Sequence, residues 1–245
     1  MSNTQTRTET EPDTIWHLST RTRRVLLLAP PLALAGFTVL HPQPDNNAQA
    51  LMDASTWFMG FHMIQLAMVG LVAVSVVVLA DQFHRASAWQ TCFGMGLFLV
   101  YFSAYDTLAG IGTGLAMQSA RDLPTSQQEA LFDIVKDWPG LEPWVFWLSL
   151  VGTFGWVLAL GYLAVGARAA GAPRAEWVFL GLAAFFLLLG HPAPFGTIAF
   201  GSLFVAALVH ERQSSRPRVA RSLTDRDRPP PGERVGHPER RWSDG

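Results

Sequence analysis

The stretch "LLLGHPAPFGTIAFG", Leu187–Gly201, lies inside the longest apolar run of the chain, Trp177–Val209. Read as one helix, that run of 33 residues extends about 50 Å at roughly 1.5 Å per residue. The hydrocarbon core of a bilayer is only about 30 Å thick. Pro192 and Pro194 each remove a backbone donor. Each also pushes its predecessor, His191 or Ala193, out of helical geometry. Gly190 and Gly196 flank the pair. The spacing predicts two helices, Ala175–His191 and Phe195–Glu211, joined by a tight turn at "GHPAPFG". Each has 17 residues, about 25 Å and near the minimum for crossing a membrane.

Outward from this turn the same pattern recurs. Apolar runs occupy Val25–Leu40, Trp57–Ala80, Cys92–Met117 and Trp144–Ala167. The chain is 49% hydrophobic and 15% charged, against roughly 25% charged in soluble domains. Charge then decides between five and six helices. Lys and Arg are enriched on cytoplasmic flanks. Arg21, Arg23 and Arg24 precede the first run, Arg85 lies between the second and third, and Arg168 and Arg174 follow the fourth. The alternate gaps lack this bias: residues 41–56 hold no Lys or Arg, and residues 118–143 hold Arg121 and Lys136 against five acids. Nine arginines follow His210. Six helices put that tail on the basic side; five, with the last run as one kinked helix, put it on the other. The expected fold is an all-α plasma-membrane bundle of six helices with both termini cytoplasmic. A re-entrant pair of half-helices is the other way to arrange the last run.

The predicted organisation is a disordered tail over residues 1–24, a transmembrane helical domain over 25–211 and a disordered Arg/Pro-rich tail over 212–245, because neither tail has enough apolar area to offset its ordering entropy. The C-terminal arginines can contact anionic lipid headgroups. "TRRVLL" at Thr22–Leu27 looks like a twin-arginine export signal, and Ala33–Ala35 resembles a cleavage site. Cleavage there would cut inside an apolar run, so an ordinary basic flank is preferred. No nucleic-acid motif is present. The single cysteine, Cys92, excludes an internal disulfide.

Polar residues within the apolar runs carry the functional expectation. Under the six-helix topology His41 ends the first helix on the outer face, and His62 lies about one and a half turns into the second. Asp106 is at or outside mid-depth in the third, Glu142 starts the fourth, and His191 is in the outer turn. His84 and His210 fall on the cytoplasmic side, and His17 and His237 in the tails. An ionisable residue inside a membrane is costly and marks function or a buried pairing. Ser103, Asp106, Gly110 and Thr113 form one polar stripe by their 3, 4, 3 spacing, and His62 and Gln65 share a face. His41, His62, His191 and Asp106 together make a candidate site for a divalent metal, or two of the histidines for haem. The plain structural reading of His41 and His191 is a His-Pro helix stop; that of Asp106 and His62 is a buried hydrogen bond. "GIGTG", Gly110–Gly114, contains the spacing for close helix approach. The tryptophans read mostly as interfacial anchors.

"HP" at His41–Pro42, His62, "YDTLAGIGTG" at Tyr105–Gly114 and "GHPAPFGTI" at Gly190–Ile198 resemble a family of uncharacterised multi-pass membrane proteins of high-GC bacteria, over roughly residues 20–211. The resemblance implies a membrane fold and no activity. Four functions are therefore weighed: a metal or haem protein, a small transporter or channel-like component using Asp106, a membrane-embedded enzyme acting on a lipid or isoprenoid, and an accessory subunit without a site. The first ranks ahead.

Overall fold

The structure is a computed structural model that describes residues 18–43, 46–83, 85–141 and 143–215. The expectations for most of both tails, and for His17, His84, Glu142 and His237, lie outside the described residues. The described residues up to Glu211 form one compact unit.

All regular structure among the described residues is helical. Helix α1 is Thr20–Thr38 and α2 is Ala48–Ala80. Helix α3, Ser87–Ser119, is one continuous helix. Helix α4 is Thr125–Leu141, α5 is Pro143–Ala169, α6 is Arg174–Leu188 and α7 is Phe195–Ser214. The sequence marks the starts of α1 and α2 with side-chain caps. Ser19 Oγ accepts from the Thr22 amide at 3.1 Å, and Asn47 Oδ1 from the Ala50 amide at 2.8 Å. The run Trp177–Val209 is broken between Leu188 and Phe195, so it forms two helices and not one kinked helix.

Three helices, α2, α3 and α5, are long and apolar enough to cross a membrane, which marks the chain as a membrane protein. The other three of the six expected spans fall short for visible reasons. Helix α1 carries Arg21, Arg23 and Arg24 in its first turns, α6 has only 15 residues, and α7 ends in His210, Glu211 and Arg212. Large apolar side chains face outward along the helices, among them Val100, Phe154, Val165 and Phe185, each more than half exposed. A surface of this kind suits lipid, not water.

Two expectations need correction. The gap 118–143 contains the helix α4, whose Phe132 and Val135 pack on Leu51, Met52, Met117 and Ala120 as a small second core. Helix α2 begins nine residues before the apolar run at Trp57, so His62 lies nearly four turns inside it instead of one and a half.

Consecutive long helices run antiparallel. Ser75 near the end of α2 bonds the Leu26 carbonyl near the start of α1 at 2.6 Å. Gly94 and Gly155 let α3 and α5 meet backbone to backbone; a Cβ on Gly94 would lie 2.6 Å from the Ala159 nitrogen. Helices α1 and α7 are joined at both ends, through Arg24–Glu211 at 3.0 Å and Thr38–Thr197 at 3.0 Å. In the core, the fully buried Trp156 meets Phe98 at a tilt and Phe200 edge to face and donates to the Ala183 carbonyl at 2.9 Å. One side chain thereby ties α5 to α3, α6 and α7. The alternation leaves the start of α1 and the ends of α2, α5 and α7 at one end of the bundle. His41, the start of α2 and the α6–α7 turn are at the other.

Candidate metal centre

Each histidine of the candidate site is placed by a local feature of the chain. His41 follows the end of α1, and its Nδ1 meets the Pro42 carbonyl at 2.9 Å. His62 is on α2, with Nδ1 2.6 Å from the Phe58 carbonyl one turn earlier. A carbonyl only accepts, so Nδ1 carries the proton in both rings and each Nε2 presents a lone pair. Metal-binding histidines commonly donate their other nitrogen to a backbone carbonyl in this way. His191 is in the α6–α7 turn, where Gly190 has φ of 140°, a backbone conformation open to glycine alone. A Cβ on Gly196 would collide with the His191 carbonyl, and one on Gly110 with the His62 ring. These two glycines belong to the two motifs singled out in the sequence, and both are needed to let a histidine into place.

The structure brings His41, His62 and His191 together: one ligand atom from each lies within 4.8 Å of the others. Metal–nitrogen bonds of about 2.0–2.1 Å place nitrogens roughly 3.4 Å apart in a tetrahedral site. Small rotations therefore close the trio on one ion. The rings meet edge to face, His41 with His62 at 5.2 Å and His41 with His191 at 5.4 Å between centroids. Phe58, Phe61, Phe102 and Tyr105 pack around them.

Asp106 stands beside this trio and not within it. Its Oδ1 is 3.9 Å from His62 Nε2 and accepts from the Gln65 amide at 3.4 Å. Asp106 and Gln65 are both buried. Along the predicted polar stripe, Gly110 and Thr113 are buried with Asp106, and Ser103 only partly. Burial lowers the pKa of His41 to about 4, helped by His62 and opposed by the Pro42 carbonyl. Burial lowers that of His191 to about 3, with further contributions from His41 and His62. Both are neutral at physiological pH, the form that binds metal.

Four buried polar atoms here have no hydrogen-bond partner: His41 Nε2, His191 Nε2, Gln65 Oε1 and Asp106 Oδ2. Buried polar atoms are nearly always satisfied, so each exception needs an explanation.

Two features escaped the sequence reading. Asp106 ends a four-residue α segment, Ser103–Asp106, set between two π-helical stretches, Phe98–Phe102 and Thr107–Gly112. Such stretches are frequent at functional sites, and no side-chain pattern announces them. The second is a buried ionic group at the opposite end, where Glu176 pairs with His210 at 3.0 Å and Glu211 with Arg23 at 3.1 Å. Glu176 is the only acid between Pro143 and His210, which was its one available signal. Comparison with known protein families, with curated proteins and with solved structures finds no match for this chain.

Proposed function

We propose that this chain is a multi-pass membrane protein that holds a divalent d-block cation through His41, His62 and His191, with Asp106 at the edge of the site. The observation that carries the reading is chemical. Three imidazoles converge, two of them with an unpartnered buried Nε2, and the unpartnered Gln65 Oε1 and Asp106 Oδ2 are buried beside them; a cation satisfies such a set where a neutral core does not. Three imidazoles with a nearby carboxylate suit Zn, Fe, Mn or Cu(II). Haem fits less well, because a porphyrin would have to enter between rings already in edge-to-face contact.

The six-helix topology in the plasma membrane, with both termini cytoplasmic, belongs to the same proposal. Arg23, Arg24, Arg168 and Arg174 fall at one end of the bundle and the histidines at the other, in keeping with the positive-inside rule. Helix α6, about 22 Å long, would then need local thinning of the bilayer.

The test is elemental analysis of full-length protein purified in detergent and reloaded with Zn(II) or Co(II). One ion per chain is expected, lost in the His41→Ala/His62→Ala/His191→Ala triple variant and kept in His210→Gln at the opposite end. No ion in the wild type, or equal loss in His210→Gln, overturns the reading.

A further inference from the structure

The three imidazoles come from the turn after α1, from α2 and from the turn before α7; none comes from α3. On the α3 side of His62 the chain offers Gly110, which has no side chain, and Asp106. Asp106 is outside the set of mutually close ligand atoms, yet its Oδ1 is within 3.9 Å of His62 Nε2. A direct fourth bond from Asp106 would require it to join that set. Among the described residues no fourth His, Cys, Asp or Glu joins the three imidazoles, so the chain itself does not complete a four-coordinate shell.

The polarity of the walls says what that molecule is. Gln65 directs its amide hydrogens to Asp106 Oδ1 at 3.4 Å, which leaves Gln65 Oε1 and Asp106 Oδ2 as buried acceptors with nothing donating to them. The reversed amide would set two acceptors face to face, so this orientation holds while Asp106 is ionised. Beside a divalent cation the Asp106 carboxylate is favoured in its ionised form, and two acceptors, one of them then charged, call for a hydrogen-bond donor and repel an anion.

Resting on the metal reading above, we propose that the ion keeps an open coordination position on its α3 side. That position takes a neutral, hydrogen-bond-donating ligand, water or another small hydroxyl compound, held by Asp106 Oδ2 and Gln65 Oε1. Asp106 is a positioning residue for the bound ligand and a filter against anions, and Gln65 orients it.

The experiment uses full-length protein loaded with Co(II) and titrated with azide, read by the visible spectrum. Asp106→Asn should still bind one Co(II) and should bind azide about tenfold more tightly or better, because a like charge beside the open position is gone. Gln65→Glu, which adds a second carboxylate, should weaken azide binding by a similar factor. Pulsed electron paramagnetic resonance of the Cu(II)-loaded wild type in heavy water should show the strongly coupled deuterons of a coordinated water or hydroxyl, distinct from the weakly coupled ones on histidine Nδ1, a readout that needs no variant to fold. Loss of Co(II) in Asp106→Asn makes Asp106 a direct ligand and overturns this proposal while leaving the three-histidine site intact. Unchanged azide affinity in both variants, or a wild-type ion without those strongly coupled deuterons, also overturns it. A wild type that binds neither metal overturns the parent reading instead.

Discussion

The two ends of the bundle bury similar groups and partner them differently. At the end holding the start of α1, each buried acid has a basic neighbour: Glu211 lies 3.1 Å from Arg23 and 3.0 Å from Arg24, and Glu176 lies 3.0 Å from His210, although Glu176 Oε2 accepts no hydrogen bond. At the other end, three imidazoles lie together beside Gln65 and Asp106, and no basic side chain of Lys or Arg pairs with Asp106 among the described residues. Acid–base pairs of the first kind tie helix termini together. The second set is the one that the proposed cation would complete. The difference between clamp and proposed site is therefore open to test.

The largest effect expected is on the paired end. Glu176 is fully buried, and its His210 contact joins the start of α6 to the last turns of α7. His210→Leu should destabilise the protein by about 3–5 kcal/mol, the usual cost of breaking a buried acid–base pair by removing one partner. His210→Gln keeps a donor and should cost far less. Thermal unfolding in detergent, followed by circular dichroism, measures both. Metal content of the folded fraction should be normal in each. A His210→Leu protein as stable as the wild type would show that the Glu176–His210 contact does not hold α6 to α7, and the clamp would lose its meaning.

Next comes a pair of glycines, one for each role. A Cβ on Gly94 would press on backbone atoms of α5 at 2.6–2.7 Å, and backbone cannot rotate away. Gly94→Ala should cost roughly 1–3 kcal/mol with metal binding retained. The three atoms nearest a Cβ on Gly110 belong to the His62 side chain, whose ring can swing aside. Gly110→Ala should therefore spare stability more and weaken metal binding by about tenfold, since it displaces a ligand. Equal effects of the two substitutions on metal would erase the distinction between packing and site.

How much of this was legible from the sequence follows from how local each cause is. The break at "GHPAPFG" was legible because proline acts on its own residue and its neighbour. The convergence of His41, His62 and His191 was legible once helix order fixed which ends of the chain share a side. The first turns of α2, Ala48–Thr56, were not. Gln49, Asp53 and Ser55 dilute their hydropathy, and only packing of Leu51 and Met52 against α3 and α4 makes them helical. Helix α4 was missed for the same reason, since Gln127, Gln128, Glu129, Asp133 and Lys136 interrupt its apolar positions. The pairing of Glu176 with His210 joins residues 34 apart, and it depends on how α6 and α7 settle against each other. No spacing rule encodes that. The π stretches around Asp106 are a choice of backbone hydrogen-bond register, invisible in residue types.

A gentler probe of the contrast is pH. In metal-free protein His41 and His191 have pKa values lowered to about 4 and about 3, whereas unfolded histidine titrates near 6.5. Between about pH 6.5 and pH 4 the unfolded chain binds more protons than the folded one, so stability falls as pH falls through that window. Above pH 6.5 these two residues contribute no slope. His41→Asn/His191→Asn should flatten the profile between pH 6.5 and pH 5 when unfolding is followed in detergent. A profile unchanged by the double variant would mean that the two rings are not buried as neutral bases.

The smallest effect expected comes from the hydroxyl pair that joins the two histidine-bearing turns to a common frame. Thr38 is the last residue of α1, three before His41, and Thr197 is in the first turn of α7, six after His191. Thr38 Oγ1 spends its only proton on the Ala35 carbonyl at 2.9 Å, so across the 3.0 Å contact Thr197 is the donor. Thr197→Val removes that donor at nearly constant shape and leaves no buried donor unsatisfied. The stability cost should be about 0.5–1.5 kcal/mol, that of one hydrogen bond. Metal affinity should fall only a few-fold, because the bridge fixes the distance between two ligand-bearing segments without touching either ring. Isothermal titration with Zn(II) reads the second number and thermal unfolding the first. If Thr197→Val abolishes metal binding outright, the site is held together by the α1–α7 contact and not by the glycine-permitted packing of His62 and His191. If it changes neither number, the two turns are positioned independently and the bridge is incidental.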